Sequence, residues 1–139
     1  MHESGTVVNP TLTDEQWDKL RSHATPHDAE VGEFLVRAGQ DGPALVVVES
    51  ALVEVVREKL RWIDEEVIGT GGPRTFIGEL GALNGQRPFL SLRGAEAGLV
   101  HLVSRADLRA LMDEDDELCD LLLHALWRAA RGCATARRR

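Results

Sequence analysis

The residues most able to do chemistry lie between Phe76 and Gly94, in FIGELGALNGQRPFLSLRG. Gly78, Glu79 and Leu80 follow a strand-like TFI and precede a segment long enough for one helical turn. The first turn of a helix carries unpaired N–H groups and the positive end of its dipole, a natural seat for an anion. Glycine at 78 would let backbone approach a ligand closely. Arg87 arrives eight residues after Glu79. A guanidinium can hold a phosphate through two parallel hydrogen bonds, and a carboxylate can accept from sugar hydroxyls. An anion with a sugar attached is the ligand chemistry this set suits. The same residues also suit a β-turn with a surface Glu–Arg pair.

Other chemistries find less support. His23 and His27 have metal-ligand spacing for a helix, but Pro26 lies between them and breaks it. His2, His101 and His124 are isolated, and neither an H-x-H cluster nor a C-x-x-C occurs. Cys119 and Cys133 stand fourteen residues apart in a helical region. On a continuous helix that is roughly 21 Å, against the ~7 Å a disulfide tolerates. They read as reduced thiols. No G-x-S-x-G elbow occurs, and Ser22 and Ser91 have no readable triad partners. The expectation is a protein with no catalytic residues and no metal: not an enzyme.

The elements that must position the 76–94 stretch can be read from periodicity. Thr13 and Gln16 form a capping box before a helix, Leu12 and Trp17 fit a hydrophobic staple, and Pro26 ends that helix by about Ala24. From Glu33 to His101, short Val/Leu runs are broken by glycine and proline, as in strands joined by turns. Gly39–Pro43 is one turn, Gly69–Pro73 another, and Leu52–Arg57 partly alternates like a half-buried strand. The spacing predicts a mainly β fold with flanking helices: an antiparallel β-roll or jelly roll, an N-terminal helix, a short helix beginning near Gly78 and two C-terminal helices. Ser104 caps the first of these, RADLRALM. The second is a longer helix over DEDDELCDLLLHALWRAARG, with Gly132 at its C-cap. Its Leu118, Leu122, Ala125 and Ala129 share one face, which suits core packing or a homodimer seam.

A chain of 139 residues is one domain, with the core over about 12–131 and a basic tail over 132–139. A net charge of −7 argues against general nucleic-acid binding, since phosphate contacts need a basic face. No apolar run reaches a membrane span and the N-terminus lacks a signal-peptide pattern, so a cytoplasmic protein is expected.

The order of elements, with FLVRAGQ, VVV followed by LVEVV, FIGEL and VHLVSRADLRALM, resembles the cyclic nucleotide-binding domain family over roughly Leu12 to Arg131. The family's phosphate cassette reads F-G-E-[LIV]-A-L, then P-R-[AS]-A, and Phe76–Leu92 is similar to it. The resemblance implies a regulatory, signal-transducing β-roll that binds cyclic AMP or cyclic GMP. Glu79 would bond the ribose 2′-hydroxyl, and amides near Gly78 and Leu80 would face the ligand, with Arg87, Phe89 and Ser91 completing the site. Three departures stand out. Arg87-Pro88 reverses the family order, Phe89 replaces a small residue, and Ser50-Ala51 replaces a glycine between the central strands. The form LNGQRPFLSLRG resembles a variant found ahead of thioredoxin-reductase-like flavoenzymes, which implies a redox-enzyme partner. The family's DNA-binding members add a helix-turn-helix after the last helix. Only seven residues follow Gly132, so no DNA-binding domain is expected here. Two functions follow from the resemblance: a nucleotide sensor, or a degenerate pocket on a protein-interaction or dimerisation module.

Overall fold

The computed structural model describes residues 7–8 (backbone only), 12–59, 61–78 and 85–125. Among the described residues, the elements run in the order β1 (Val7–Val8), α1 (Asp14–Ser22), β2 (Thr25–Ala29), β3 (Phe34–Val36), β4 (Leu45–Val48), β5 (Leu52–Arg57), β6 (Glu66–Gly71), β7 (Thr75–Gly78), β8 (Ser91–Glu96), β9 (Gly98–Val103) and α2 (Arg105–Glu114). Residues 116–125 form a further helix, α3. One sheet has the order β1-β7-β4-β9-β2 and the other β3-β8-β5-β6, with every pairing antiparallel. This is the mainly β roll with flanking helices that the turn spacing predicts.

The central strand β4 shows why the fold is layered. Its LVVV run does not alternate in hydrophobicity, and all four residues are buried. Leu45 and Val47 join Phe76 and Val103 in a core shared with the helices. Val46 and Val48 join Ile77 and Val100 in a second core against Val36, Val53, Val55 and Leu92 of the other sheet. A strand covered on both faces has no solvent side, so every position is apolar. In β5, the bulge between Val55 and Val56 lets two consecutive valines be buried in an otherwise alternating strand.

Helix α1 begins as expected. Gln16 N donates to Thr13 Oγ1 at 3.1 Å, and Thr13 N donates to Gln16 Oε1 at 3.1 Å. Trp17 and Leu20 are its buried residues, and Leu12 packs against the same core. Thr13→Ala removes the capping acceptor and is expected to lower stability by about 1 kcal/mol, read as a lower urea midpoint at unchanged slope.

Three expectations are corrected, and one strand falls where none was read. The chain after α1 is a strand: β2, TPHDA, lies at the edge of the larger sheet with Pro26 opposite His101. Proline is tolerated there because an edge strand leaves some amides without a ladder partner. The Gly69–Pro73 loop is shorter than its composition suggests, because Gly69–Gly71 pair with Val55–Val53 in β6. The long helix does not start at Asp113. Helix α2 extends to Glu114, and Asp115 breaks the run by accepting from Leu118 N at 3.0 Å, restarting the chain as α3. Finally, of the two readings of the α3 stripe, core packing holds for Leu118, Leu122 and Ala125, against the dimer seam. Leu118 and Leu122 are 0 % exposed and Ala125 is 5 % exposed, in the cluster that holds Trp17, Leu20, Phe76, Leu108 and Leu111. Ala129, Gly132 and the basic tail lie outside the described residues, as does the short helix expected after Gly78.

Among the described residues, no helix is long and apolar enough to cross a membrane. Nor does any group of three or more His, Cys, Asp or Glu residues there suit a metal ion. Cys119 is a half-buried free thiol, and burial followed by its neighbours Asp120, Asp116 and Asp113 pushes its pKa up.

Candidate functional site

A cavity opens where the end of β7, the 86–90 segment, the 41–44 segment and the first residue of α2 converge. Its apolar wall is Val36, Val55, Ile77, Leu90 and Leu92, all contributed by strands or the approach to β8. Its polar rim is Asp41, Gln86, Arg87 and Arg105, with Gly78 beside them. Two backbone bonds hold the rim. Gly39 N donates to Pro88 O at 2.9 Å, joining the two segments, and Ala44 N donates to Val103 O at 2.8 Å, fixing one segment to β9. The cavity is thus set by the sheets rather than by the rim segments alone.

Gly78 and Arg87 of the expected set meet at this cavity. Arg87 is largely exposed, and its Nε lies 3.6 Å from Asp41 Oδ1. That exposed pair is worth little in stability, between about 0 and 1 kcal/mol, but it places an anion beside the cassette arginine. Glu79 and Leu80 lie outside the described residues. Phe89 does not line the cavity, and its side chain is partly exposed at 38 %. Ser91 is fully buried and does not line it either. Its hydroxyl accepts from Ala38 N at 2.9 Å and donates to Glu58. Ser91 therefore ties β8 to the segment after β3.

The outer face of the smaller sheet is saturated with ion pairs. Arg37 and Glu58 pair at 3.0 Å, and Arg37 lies over the Phe34 ring. Arg37, then Ser91, hold the Glu58 carboxyl below its ordinary pKa. Arg93 grips Glu65 through two nitrogens at 3.0 and 2.9 Å and also donates to Glu54 at 2.7 Å. Those two carboxylates, Glu65 first, raise the arginine's pKa further. With its own carboxylates in place, Arg93 offers an incoming anion little. A second network stands behind β4: buried His101 meets Glu49 at 2.6 Å, and Arg21 reaches the same carboxylate at 3.3 Å. His101, then Arg21, lower the Glu49 pKa. Arg21 and Asp18 complete it along α1.

Asp41, Gln86 and Arg105 are rim residues that sequence reading missed, and Arg105 is the basic one. At the first position of an amphipathic helix it reads as a solvated charge. Only the tertiary structure brings it to the cavity, against the backbone of Gly85.

No family model matches the chain, and none of the curated proteins does. Solved structures do. The catabolite activator protein of Thermus thermophilus superposes with a TM-score of 0.76 at 24% identity, over 91% of this chain and 59% of that one. The global regulator CLP of Xanthomonas campestris gives 0.73 at 19% identity, over 91% and 62%. The N-terminal domain of a transcriptional regulator from Streptomyces coelicolor gives 0.65 at 23% identity, over 91% and 88%. The chain thus spans about three-fifths of the first two regulators and most of the excised domain. What these likenesses share with the strand order above is the architecture: the chain has the β-roll fold of the cyclic nucleotide-binding domains.

Proposed function

We propose that this chain is a cytoplasmic ligand-sensing regulatory module, not an enzyme, and that it binds a cyclic nucleotide or a similar anionic, sugar-bearing ligand at the Gly78–Arg87 cassette. One observation carries the reading: the cavity sets an apolar wall suited to a base beside a rim bearing Arg87 and Arg105. The fold supports it, since solved neighbours include a kinase regulatory subunit described as cyclic AMP-bound and a regulator described as c-di-GMP-responsive. Calorimetric titration with cyclic AMP and cyclic GMP tests it. Charge-assisted hydrogen bonds contribute roughly 1.5–3 kcal/mol, so Arg87→Ala is expected to weaken binding about tenfold or more. A wild-type protein that takes neither nucleotide at millimolar concentration would overturn it.

A second reading is favoured by Asp41. A carboxylate on the rim, already beside Arg87, repels an incoming phosphate. On that reading the pocket is degenerate and the β-roll is a protein-interaction or dimerisation module, with a redox flavoenzyme as the partner class. Any dimer would use a surface other than the buried Leu118–Leu122–Ala125 face.

A further inference from the structure

We infer that Arg105, not the cassette residue Arg87, is the principal anion anchor of this cavity, with Asp41 holding Arg87 back. The inference rests on reading the cavity as an anion site, but not on the ligand being a nucleotide. Three observations point to it.

The first is the disposition of charge. Arg21, Arg37, Arg57, Arg74, Arg87 and Arg93 each face a carboxylate within salt-bridge distance. Arg105 has no such partner among the described residues, nor an aromatic ring beneath it, although it lines the cavity. Among the described residues, Arg105 is thus the cavity arginine that an anionic ligand neutralises without displacing a carboxylate. Arg87 has to exchange Asp41 for the ligand, so part of its gain is lost.

The second is where the side chain lies. Gly85 adopts φ +79°, and a methyl group placed there would lie 2.8 Å from Arg105 Nη1. The guanidinium therefore lies close beside the segment leading to Arg87, in space a side chain at 85 would contest.

The third is support. Arg105 opens α2, whose Leu108 and Leu111 are fully buried in the helix-side core. Arg87 sits on an irregular segment. A contact on a packed helix is held more firmly than one on a loop.

The two arginines are separable experimentally. Wild type, Arg105→Ala, Arg105→Lys, Arg87→Ala and Asp41→Asn would be titrated at matched ionic strength with inorganic pyrophosphate, and separately with cyclic AMP and cyclic GMP. Thermal shift would read the first and calorimetry the others. Arg105 is exposed at the start of its helix, so both of its variants should keep the wild-type circular dichroism spectrum. The Lys variant controls for the Ala. The expected result is at least a tenfold loss of pyrophosphate affinity in Arg105→Ala and a smaller one in Arg105→Lys. Arg87→Ala loses less than Arg105→Ala, and Asp41→Asn gains severalfold. An Arg105→Ala response equal to wild type, or a larger loss from Arg87→Ala, overturns the assignment. A pyrophosphate response without nucleotide binding upholds the anchor and removes the nucleotide reading. Nucleotide binding that Arg105→Ala leaves unchanged removes the anchor and keeps that reading. If wild type responds to neither probe, both fall.

Discussion

Gly94→Ala is expected to lower the stability of this protein by about 3–5 kcal/mol, a large part of the ~5–15 kcal/mol that holds a domain folded. A Cβ at 94 would lie 2.3 Å from Glu30 O and 3.2 Å from Glu30 C. Both are backbone atoms, so no rotamer change relieves the overlap. Gly94 is also bonded on both sides to the turn it touches: its carbonyl accepts from Gly32 N and its amide donates to Glu33 O, each at 2.8 Å. Pushing the turn away breaks two backbone bonds, each worth about 1 kcal/mol, in addition to about 1–3 kcal/mol of overpacking. Urea unfolding should show a large fall in midpoint at constant slope. Gly42→Ala is the control, because a methyl there meets nothing within 4 Å and the backbone needs no special φ. Its effect should stay within about 0.5 kcal/mol. Equal midpoints for the two variants would refute the close approach of Gly94 to Glu30.

Leu122→Asp should abolish the fold rather than split a dimer. Leu122 is 0 % exposed in the cluster formed by Trp17, Leu20, Phe76, Leu108, Leu111 and Leu118. Truncating such a leucine to alanine costs about 2–5 kcal/mol, and a carboxyl group in its place adds the desolvation of an unpartnered polar group. Together these approach the ~5–15 kcal/mol that holds a whole domain together. Circular dichroism should lose most of its native signal, and light scattering should show aggregate. A well-folded Leu122→Asp monomer would mean that this face packs against something other than the chain's own helices and sheet.

How much of this was readable beforehand depends on how local the cause is. The Thr13–Gln16 box and the Ser104 cap are contacts three residues apart, and both formed as read. β4 and β9 were legible because a buried strand must be apolar. β2 was not: Thr25-Pro26-His27-Asp28-Ala29 has poor strand propensity, and its pairing with β9 comes from residues more than sixty positions away. The start of α3 was misplaced because a run of acidic residues gives no sign of which one turns its side chain back onto the backbone. At the site, Gly78 and Arg87 were found through a motif, whereas Arg105 reaches the cavity only through the docking of α2. The stripe on α3 illustrates a general ambiguity. Periodicity shows that a face is apolar without showing what covers it.

Asp115 gives the helical side of the molecule a shared point of failure. Its amide donates to Leu111 O at 3.2 Å, its carboxylate accepts from Leu118 N at 3.0 Å, and Lys19 of α1 reaches that carboxylate at 3.2 Å. His23 of the α1 cap and Glu114 meet at 3.2 Å alongside. The last turn of α2, the first turn of α3 and the end of α1 therefore share contacts through one residue and its neighbour. Native-state hydrogen exchange is expected to show the last turn of α2 and the first turn of α3 opening together, apart from the strand edges.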